Sequence, residues 1–155
     1  MAKKVIKRGL TKLIRTKPVI LIVTLHPDGT VNAGTFGAYI NLSSDEIGIA
    51  IGKPSHTYKN IKRTGEFTVN VLTKKIVRAS EICAQEIPPS ESELDHASLT
   101  VETSRKVKPP IIKECVANLE CIPVASLIFL YETGIVASLI FLYKSFFFFQ
   151  FLSFI

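Results

Sequence analysis

The sequence lacks the patterns that mark several large functional classes. Its 155 residues include no tryptophan, one methionine, three histidines and three cysteines. No Walker loop, GxGxxG or GxSxG motif occurs, which argues against nucleoside triphosphatases, Rossmann dehydrogenases and hydrolases. The histidines lie far apart without metal-ligand spacing, and a single histidine in a turn, such as His26, is expected to be solvated. We therefore predict no metal site and no catalytic acid or base.

The three cysteines show no pattern of paired thiols. They are Cys83, Cys115 and Cys121, an odd number without CxxC spacing. A disulfide framework and a structural zinc site are therefore not predicted. Cys115 and Cys121 are six residues apart, which would place both on one face of a strand, so buried apolar thiols are favoured.

Acidic residues are absent from the first seventeen positions, which carry seven lysines and arginines. Because the whole chain has a net charge of +6, the remainder is nearly neutral at about −1. We predict a solvated basic arm over residues 1–17; contact with an anionic surface, or with a phosphate-bearing cofactor or substrate, is the alternative. The near-neutral body argues against nucleic-acid binding. No apolar run of signal-peptide length precedes Pro18, so a cytoplasmic location is expected.

The body predicts short strands joined by tight turns. The apolar run Val19–Val23 ends at Pro27-Asp28-Gly29, typical of a buried strand entering a hairpin. Residues 31–39 are rich in glycine and alanine, which lets a flat ligand or another backbone approach closely. In Ile47–Ile51 one face is isoleucine and the other is Gly48 and Ala50. That second face fits tight sheet packing and the wall of a planar ligand equally well.

The next segments predict helices and further strands. Residues 55–65 have the cap, basic last turn and closing glycine of a short helix. Residues 66–72 alternate as a half-buried strand, and residues 74–86 predict a helix ended by Pro88-Pro89. We expect a flexible loop with at most a short helix or strand over residues 90–110, and its acids Glu91, Glu93 and Asp95 are not expected to form an active site. Two more strands are predicted at Cys115–Cys121 and Val124–Tyr131.

The C-terminal part contains a direct repeat. The octapeptide Val124–Tyr131 recurs letter for letter at Val136–Tyr143, and four phenylalanines follow. The last 21 residues carry one charged side chain, Lys144, and are long enough to span a bilayer. Three interpretations stay open: a duplication with a frameshift, a strand packed in the fold or in a dimer, and a membrane anchor. We divide the chain into an arm (1–17), a domain (18–131) and this tail (132–155).

Two neighbouring segments could bind a phosphorylated planar ligand. The glycines and alanines after Asn32 permit backbone amides to reach a ring edge, and Thr35 adds a hydroxyl. Lys53, Ser55, His56 and Thr57 precede or begin a short helix, where amides, hydroxyls and positive charge converge. Serine and threonine are also the preferred helix caps, so an ordinary capped helix is the alternative.

The order of these motifs resembles one known family. It runs through Asp28-Gly29, Asn32-Ala33 with Thr35, Ser43-Ser44, Thr57-Tyr58-Lys59-Asn60-Ile61 and Thr64–Asn70, the last being the most specific. Glu93-Leu94-Asp95, Pro109–Ile112 and Leu119–Cys121 are similar to the later portion of that family. The sequence thus resembles the flavin reductase-like FMN-binding split barrels, flavoredoxins among them, over about two-thirds of its length.

This resemblance implies a mainly β fold, a six-stranded antiparallel Greek-key split barrel with short helices, which usually forms a homodimer with FMN near the subunit interface. It places FMN-binding residues at Asn32, Ala33, Gly34, Thr35, Phe36, Lys53, Ser55, His56, Thr57, Asn60 and Asn70. The tail replaces the acidic-histidine pair and closing strand that the family usually has, so an incomplete barrel is one expectation.

The function expected from the resemblance is electron transfer through flavin. An oxidoreductase of the flavin reductase type would pass hydride from NADH or NADPH to FMN. The flavin supplies the redox chemistry, so no acid–base residues are required of the protein. The alternatives are a flavoredoxin-like carrier with a protein electron partner, and an inactive product that is truncated or held at a membrane by its tail.

Overall fold

A computed structural model of the chain describes residues 18–43, 46–128 and 138–148, with residues 123–128 and 138–148 described by their backbone alone. The predicted basic arm, residues 1–17, lies outside this part. The described strands and helices are β1 (Ile20–Leu25), β2 (Val31–Phe36), β3 (Tyr39–Asn41), β4 (Glu46–Gly52), α1 (His56–Thr64), β5 (Phe67–Val71), α2 (Ala79–Ile82), α3 (Glu93–His96), β6 (Val101–Glu102), β7 (Ile111–Ile112), β8 (Ala117–Ile128) and β9 (Ser138–Phe148).

Most strands belong to one antiparallel sheet. Its seven strands follow the order β2-β1-β5-β8-β9-β4-β3, while β6 and β7 form a separate pair. The predicted mainly β, antiparallel class is confirmed. This sheet has seven strands where six were expected: β3 and β9 are additional, and the two strands predicted between Cys115 and Tyr131 form the single strand β8.

The predicted hairpin joins β1 and β2. Leu25 pairs with Val31, and Gly29 turns the chain at φ 90°, a conformation that favours glycine. The backbone amide of Thr30 donates to Asp28 Oδ1 at 3.0 Å. The hairpin leaves β2 at an edge of the described sheet.

Strand β1 is buried on both faces, as its unbroken apolar run predicts. Ile20 and Ile22 pack in one core cluster with the isoleucines of β4 and with Phe67 of β5. Leu21 and Val23 pack in a second cluster, whose other members come from β2, α2, α3 and the segment after them. The two clusters fix the sheet between α1 on one side and the chain between residues 79 and 115 on the other.

Strand β5 differs from its half-buried prediction, because its polar residues are buried too. Thr68 and Asn70 are fully buried. The Thr68 hydroxyl donates to the Pro110 carbonyl at 2.7 Å, and Asn70 Oδ1 accepts from the Ile112 amide at 2.9 Å. The chain after residue 100 returns over this face and satisfies the polar groups.

The helix predicted over residues 74–86 is wrong in its length. The segment forms a 3₁₀ turn at Lys74–Ile76 and then the four-residue α2. Ser80 and Glu81 donate their amides to carbonyls three residues back, and the Ser80 hydroxyl also donates to the Val77 carbonyl. These tight bonds divide the segment into two short turns.

The two strands predicted before and within the repeat form one strand. Strand β8 continues through Pro123 with a register shift between Pro123 and Ala125. A proline in a strand is tolerated at such a bulge. Cys115 precedes β8 and packs in the second cluster, whereas Cys121 packs in the first. The prediction that both are buried is confirmed, but their placement on one strand face is wrong.

Part of the tail forms a strand within the sheet. Strand β9 pairs with β4 from Glu46↔Lys144 to Gly52↔Ser138, and with β8 along its other side. The two copies of the repeated octapeptide lie antiparallel, with Ala125 opposite Leu142 and Ile128 opposite Leu139. For residues 138–148 the structure supports the packed-strand interpretation. Residues 129–137 and 149–155 lie outside the described part, and no described helix is long and apolar enough to cross a membrane.

Candidate functional site

A cleft of about 290 Å³ opens between the edge strand β2 and the start of α1. Its third wall is the segment after α2, and Glu93 of α3 contributes to it as well. The lining residues are Asn32–Phe36, Pro54–Thr57, Cys83–Ile87 and Glu93.

The structure brings most of the predicted site residues to this cleft. Of the eleven, five come from β2 and three from the start of α1: Asn32, Ala33, Gly34, Thr35, Phe36, Ser55, His56 and Thr57. The isoleucine strand β4 contributes no lining residue, so tight sheet packing accounts for its Gly48 and Ala50.

The other three predicted residues do not line the cleft. Lys53 lies in the turn just before α1. Asn60 belongs to the buried side of α1, where its Nδ2 donates to Thr24 Oγ1 at 3.1 Å. Asn70 lies on β5, where it holds the Ile112 amide.

The start of α1 is capped in the way its sequence predicts. Ser55 Oγ accepts from the Tyr58 amide at 3.1 Å and donates to the Gly52 carbonyl at 2.7 Å. Gly65 ends the helix at φ 68°, and the first turn contains no acidic residue. The positive end of the helix dipole therefore faces the cleft uncompensated.

A buried hydrogen-bond network orients Thr57. Asn32 is only 2% exposed, and its Nδ2 donates to Thr57 Oγ1 at 3.1 Å and to Thr24 Oγ1 at 3.0 Å. Because Thr57 Oγ1 accepts this bond, its own proton points elsewhere. Among the described residues this hydroxyl donates no hydrogen bond, and Thr57 lines the cleft, so it can donate to a ligand there.

Gly34 allows β2 and α1 to approach closely. A Cβ placed on Gly34 would lie 2.8 Å from Phe36 Cε2 and 2.9 Å from Thr57 Oγ1. Real Cβ atoms do not approach so near, so any larger residue would push on one of these neighbours. Close packing at the floor of the cleft therefore explains why this position is a glycine.

The open edge of β2 faces the same cleft. The Ala33 amide points away from β1, because it donates to Glu93 Oε2 at 2.8 Å. Residues two apart in an antiparallel strand orient their amides alike, so the Thr35 amide also points away from β1. The Thr35 side chain is fixed separately, since its hydroxyl donates to the Ser80 carbonyl at 2.6 Å.

The sequence did not identify Glu93 as part of the site. The short helix α3 lies within what the sequence allows for this segment, but Glu93, which starts it after the Ser92 cap, is buried at 5% exposure and does not lie in a flexible loop. Burial raises the pKa of its carboxyl, and the bond from the Ala33 amide partly opposes this. One sequence signal for burial of this segment is available: the apolar residues Leu94 and Leu99 interrupt a polar stretch, and both pack in the core.

His26 is also buried, so the expectation of a solvated histidine is wrong. Its ring meets that of His56 edge to face, with centroids 5.1 Å apart. Its Nδ1 lies 3.4 Å from Asn60 Nδ2. Burial lowers the pKa of His26, and electrostatic interaction with the neighbouring His56 lowers it further.

Neither a metal centre nor a reactive thiol is visible in the part of the chain that the structure describes. No group of three metal-ligating side chains occurs there. All three cysteines are free and buried, and burial raises the pKa of each thiol to about 12. Cys83 lines the cleft as a neutral thiol.

The cleft can therefore hold a phosphorylated planar ligand. The Thr57 hydroxyl and the start of α1 offer donors to an anion. Along the edge of β2, the small Gly34 leaves a flat surface for a planar ring, and the Thr35 amide can donate a hydrogen bond to the ring.

Known proteins share this fold. Nitrilotriacetate monooxygenase component B of Bacillus cereus matches with a TM-score of 0.77 at 19% identity, over 94% of this chain and 80% of its own. Flavoredoxin of Desulfovibrio vulgaris matches at 0.73 and 19% identity, over 90% and 74%. The NADH:FAD oxidoreductase SgcE6 of Streptomyces globisporus matches at 0.71 and 20% identity, over 94% and 85%.

Sequence comparison agrees with the fold. A relative in Halalkalibacterium halodurans is 32% identical over 128 residues, which is 78% of this chain and 61% of the relative. YwrF of Bacillus subtilis is 32% identical over 81% of this chain and 64% of its own length. The chain spans about six-tenths of the length of these relatives. A family profile described as a flavin reductase-like domain matches residues 15–138. The chain belongs to the flavin reductase-like domain family.

Proposed function

We propose that this protein is an oxidoreductase that binds FMN in the cleft between β2 and α1 and passes electrons to it from a reduced nicotinamide nucleotide. One observation carries the proposal: the Thr57 hydroxyl and the outward-facing amide on the edge of β2 both lie at one cleft, and both can donate hydrogen bonds to a ligand there. In this proposal the protein works in the cytoplasm as a homodimer.

The phosphate is assigned to the start of α1. A dianion there gains from the Thr57 proton, from the helix dipole and from Lys53 in the preceding turn. Ser55 already donates to the Gly52 carbonyl, so Thr57 is the better hydroxyl donor of the two. Asn60 supports the site indirectly, because it donates to the Thr24 hydroxyl that also accepts from Asn32.

The ring is assigned to the edge of β2. The Thr35 amide faces outward there, and Gly34 and Phe36 form the adjoining surface. When bound, flavin accepts two electrons and a proton equivalent, so the protein needs to supply binding, orientation and exclusion of water. Asn70 holds the sheet behind this edge through Ile112 and does not touch the cleft.

The small volume of the cleft supports the proposal that a second copy of the chain completes the site on its open side. About 290 Å³ lies at the lower end of the roughly 300–1,000 Å³ of small-molecule sites. A second subunit covering the open edge of β2 would enlarge and close the site. Among the proteins with this fold, one is described as a flavoredoxin and one as an NADH:FAD oxidoreductase, which supports flavin as the ligand.

A comparison of FMN with riboflavin tests the phosphate assignment. Thr57→Ala should weaken FMN about 10- to 100-fold, because a hydrogen bond to a charged group contributes roughly 1.5–3 kcal/mol. Riboflavin lacks the phosphate and should change far less, and Lys53→Ala should show the same selectivity. Quenching of flavin fluorescence during titration measures both affinities.

Two matched variants control this comparison. Thr57→Ser keeps a hydroxyl and should retain FMN, whereas Thr64→Ala removes a hydroxyl at the far end of α1, where it bonds the Asn60 carbonyl and the backbone of Glu66. Equal losses of FMN and riboflavin in Thr57→Ala would place the phosphate elsewhere. Wild-type protein that binds neither flavin would overturn the flavin proposal itself.

Nicotinamide oxidation tests the enzymatic part. With excess FMN the wild-type protein should oxidise NADH or NADPH through many turnovers, followed by the loss of absorbance at 340 nm that reduced nicotinamide shows. A bound flavin that neither nucleotide reduces would instead indicate an electron carrier supplied by a protein partner. Heat-denatured protein with the same flavin is the control for direct reaction in solution.

A further inference from the structure

A buried carboxyl lies beside the proposed phosphate position. Glu93 lines the cleft, and Ala33, which donates to it, directly follows Asn32, which donates to Thr57. The two contacts leave β2 at adjacent residues, and both the Glu93 carboxyl and Thr57 line the same cleft. The charge of His56, which precedes Thr57, also acts on Glu93.

One oxygen of this carboxyl is unused by other residues. Oε2 accepts the Ala33 amide, and the backbone amide of Glu93 itself also bonds to the carboxyl, but no donor from another residue of the described chain reaches Oε1. A buried carboxyl oxygen has room for more than one such bond, and a ligand or water can supply it. Oε1 is therefore placed to bond to whatever occupies the cleft.

The position of Glu93 relative to the proposed phosphate contact determines which part of a bound flavin it would contact. In FMN a five-carbon ribityl chain with three free hydroxyls separates the phosphate from the ring. A group within one strand residue of the phosphate contact lies opposite this chain, and the ring lies further along β2 towards Thr35. Hydroxyls both donate and accept, so they can bond to either protonation state of the carboxyl.

We propose that Glu93 is a specificity-determining residue that bonds a ribityl hydroxyl of the bound flavin through Oε1 and must be protonated when the flavin carries a phosphate. The inference rests on the flavin function proposed above. The second part follows from electrostatics: a carboxylate and a phosphate dianion repel in a site of low dielectric, whereas a neutral carboxyl and a phosphate do not.

The surroundings of Glu93 define its titration. The titratable groups that face it are His56 of α1, the neutral thiol of Cys83, Glu86 on the cleft wall, and His96 on α3 itself. Bound phosphate adds negative charge, so FMN binding takes up a proton at Glu93. Wild-type affinity for FMN should therefore fall as pH rises through the pKa of Glu93, and affinity for riboflavin should not.

Glu93→Gln tests the charge, because glutamine keeps the shape and the acceptor for the Ala33 amide. Titration with FMN and riboflavin from pH 5 to 9 gives the ratio of variant to wild-type affinity, which cancels the titration of the phosphate itself. For FMN this ratio should rise about tenfold towards pH 9, and for riboflavin it should stay within about twofold. Glu102→Gln, at an exposed carboxyl on β6 that does not line the cleft, is the matched control and should leave both ratios flat.

Glu93→Ala and a shorter ligand test the hydroxyl bond. The alanine variant should lose three- to tenfold in affinity for riboflavin and nothing for lumiflavin, which has the ring but no ribityl chain. Parallel pH profiles of wild type and Glu93→Gln for FMN would overturn the charge assignment. An equal loss for lumiflavin would overturn the ribityl assignment. Absence of flavin binding by the wild type would instead refute the proposed function.

Discussion

A chain ended at Ile128 is expected to lose the folded state, because it lacks β9. This strand lies between β8 and β4, so its removal divides the sheet into β2-β1-β5-β8 and the pair β4-β3. Ile47, Ile49 and Ile51 of β4 belong to the core and would lose the strand that fixes them. Since whole domains are stable by only about 5–15 kcal/mol, we expect no cooperative unfolding transition. Solubility, circular dichroism and thermal melting measure this.

A chain ended at Phe148 is the matched control. It removes residues 149–155 and keeps every pairing of β9 with β4 and β8. This variant should melt within a few degrees of the full chain. If both shortened chains fold alike, β9 is not part of the stable sheet, and the packed-strand interpretation of the tail would be wrong.

The tail shows where sequence reasoning reached its limit. Its apolar composition is compatible with a strand, an anchor and a frameshift product, because composition does not record which backbone pairs with which. The exact repeat carried information that emerges only in three dimensions: its two copies pair antiparallel with each other, Leu127 opposite Ile140. By contrast, β1 and its hairpin were predictable, since Asp28-Gly29 and the apolar run are local signals.

The cleft shows the same division between local and long-range information. The two segments that supply Asn32–Phe36 and Ser55–Thr57 were predictable, because a glycine-rich strand and a capped helix start each leave a mark in sequence. Glu93 was not, since its burial depends on an amide 60 residues away. His26 was misjudged for a similar reason: its burial depends on α1 crossing the hairpin turn.

Gly34→Ala is expected to damage the cleft more than any other small substitution in β2. The added methyl group would lie within 3 Å of both the Phe36 ring and Thr57 Oγ1. Overpacking of this kind destabilises by roughly 1–3 kcal/mol. Moving Thr57 also breaks the geometry that aims its hydroxyl into the cleft, so FMN affinity should fall at least about tenfold. Chemical denaturation and flavin titration measure the two effects separately.

Gly37→Ala provides the matched control three residues further on. Neither glycine has a positive φ, so a difference between the two variants reports space and not backbone strain. A Cβ at Gly37 would meet only Val19 Cγ1, at an ordinary contact distance of 3.7 Å. This variant should bind FMN normally and be as stable as wild type, or more stable by up to about 1 kcal/mol. If Gly34→Ala matched it in both measurements, the close approach of β2 to Thr57 would not shape the site, and the assignment of the phosphate to the start of α1 would lose its structural basis.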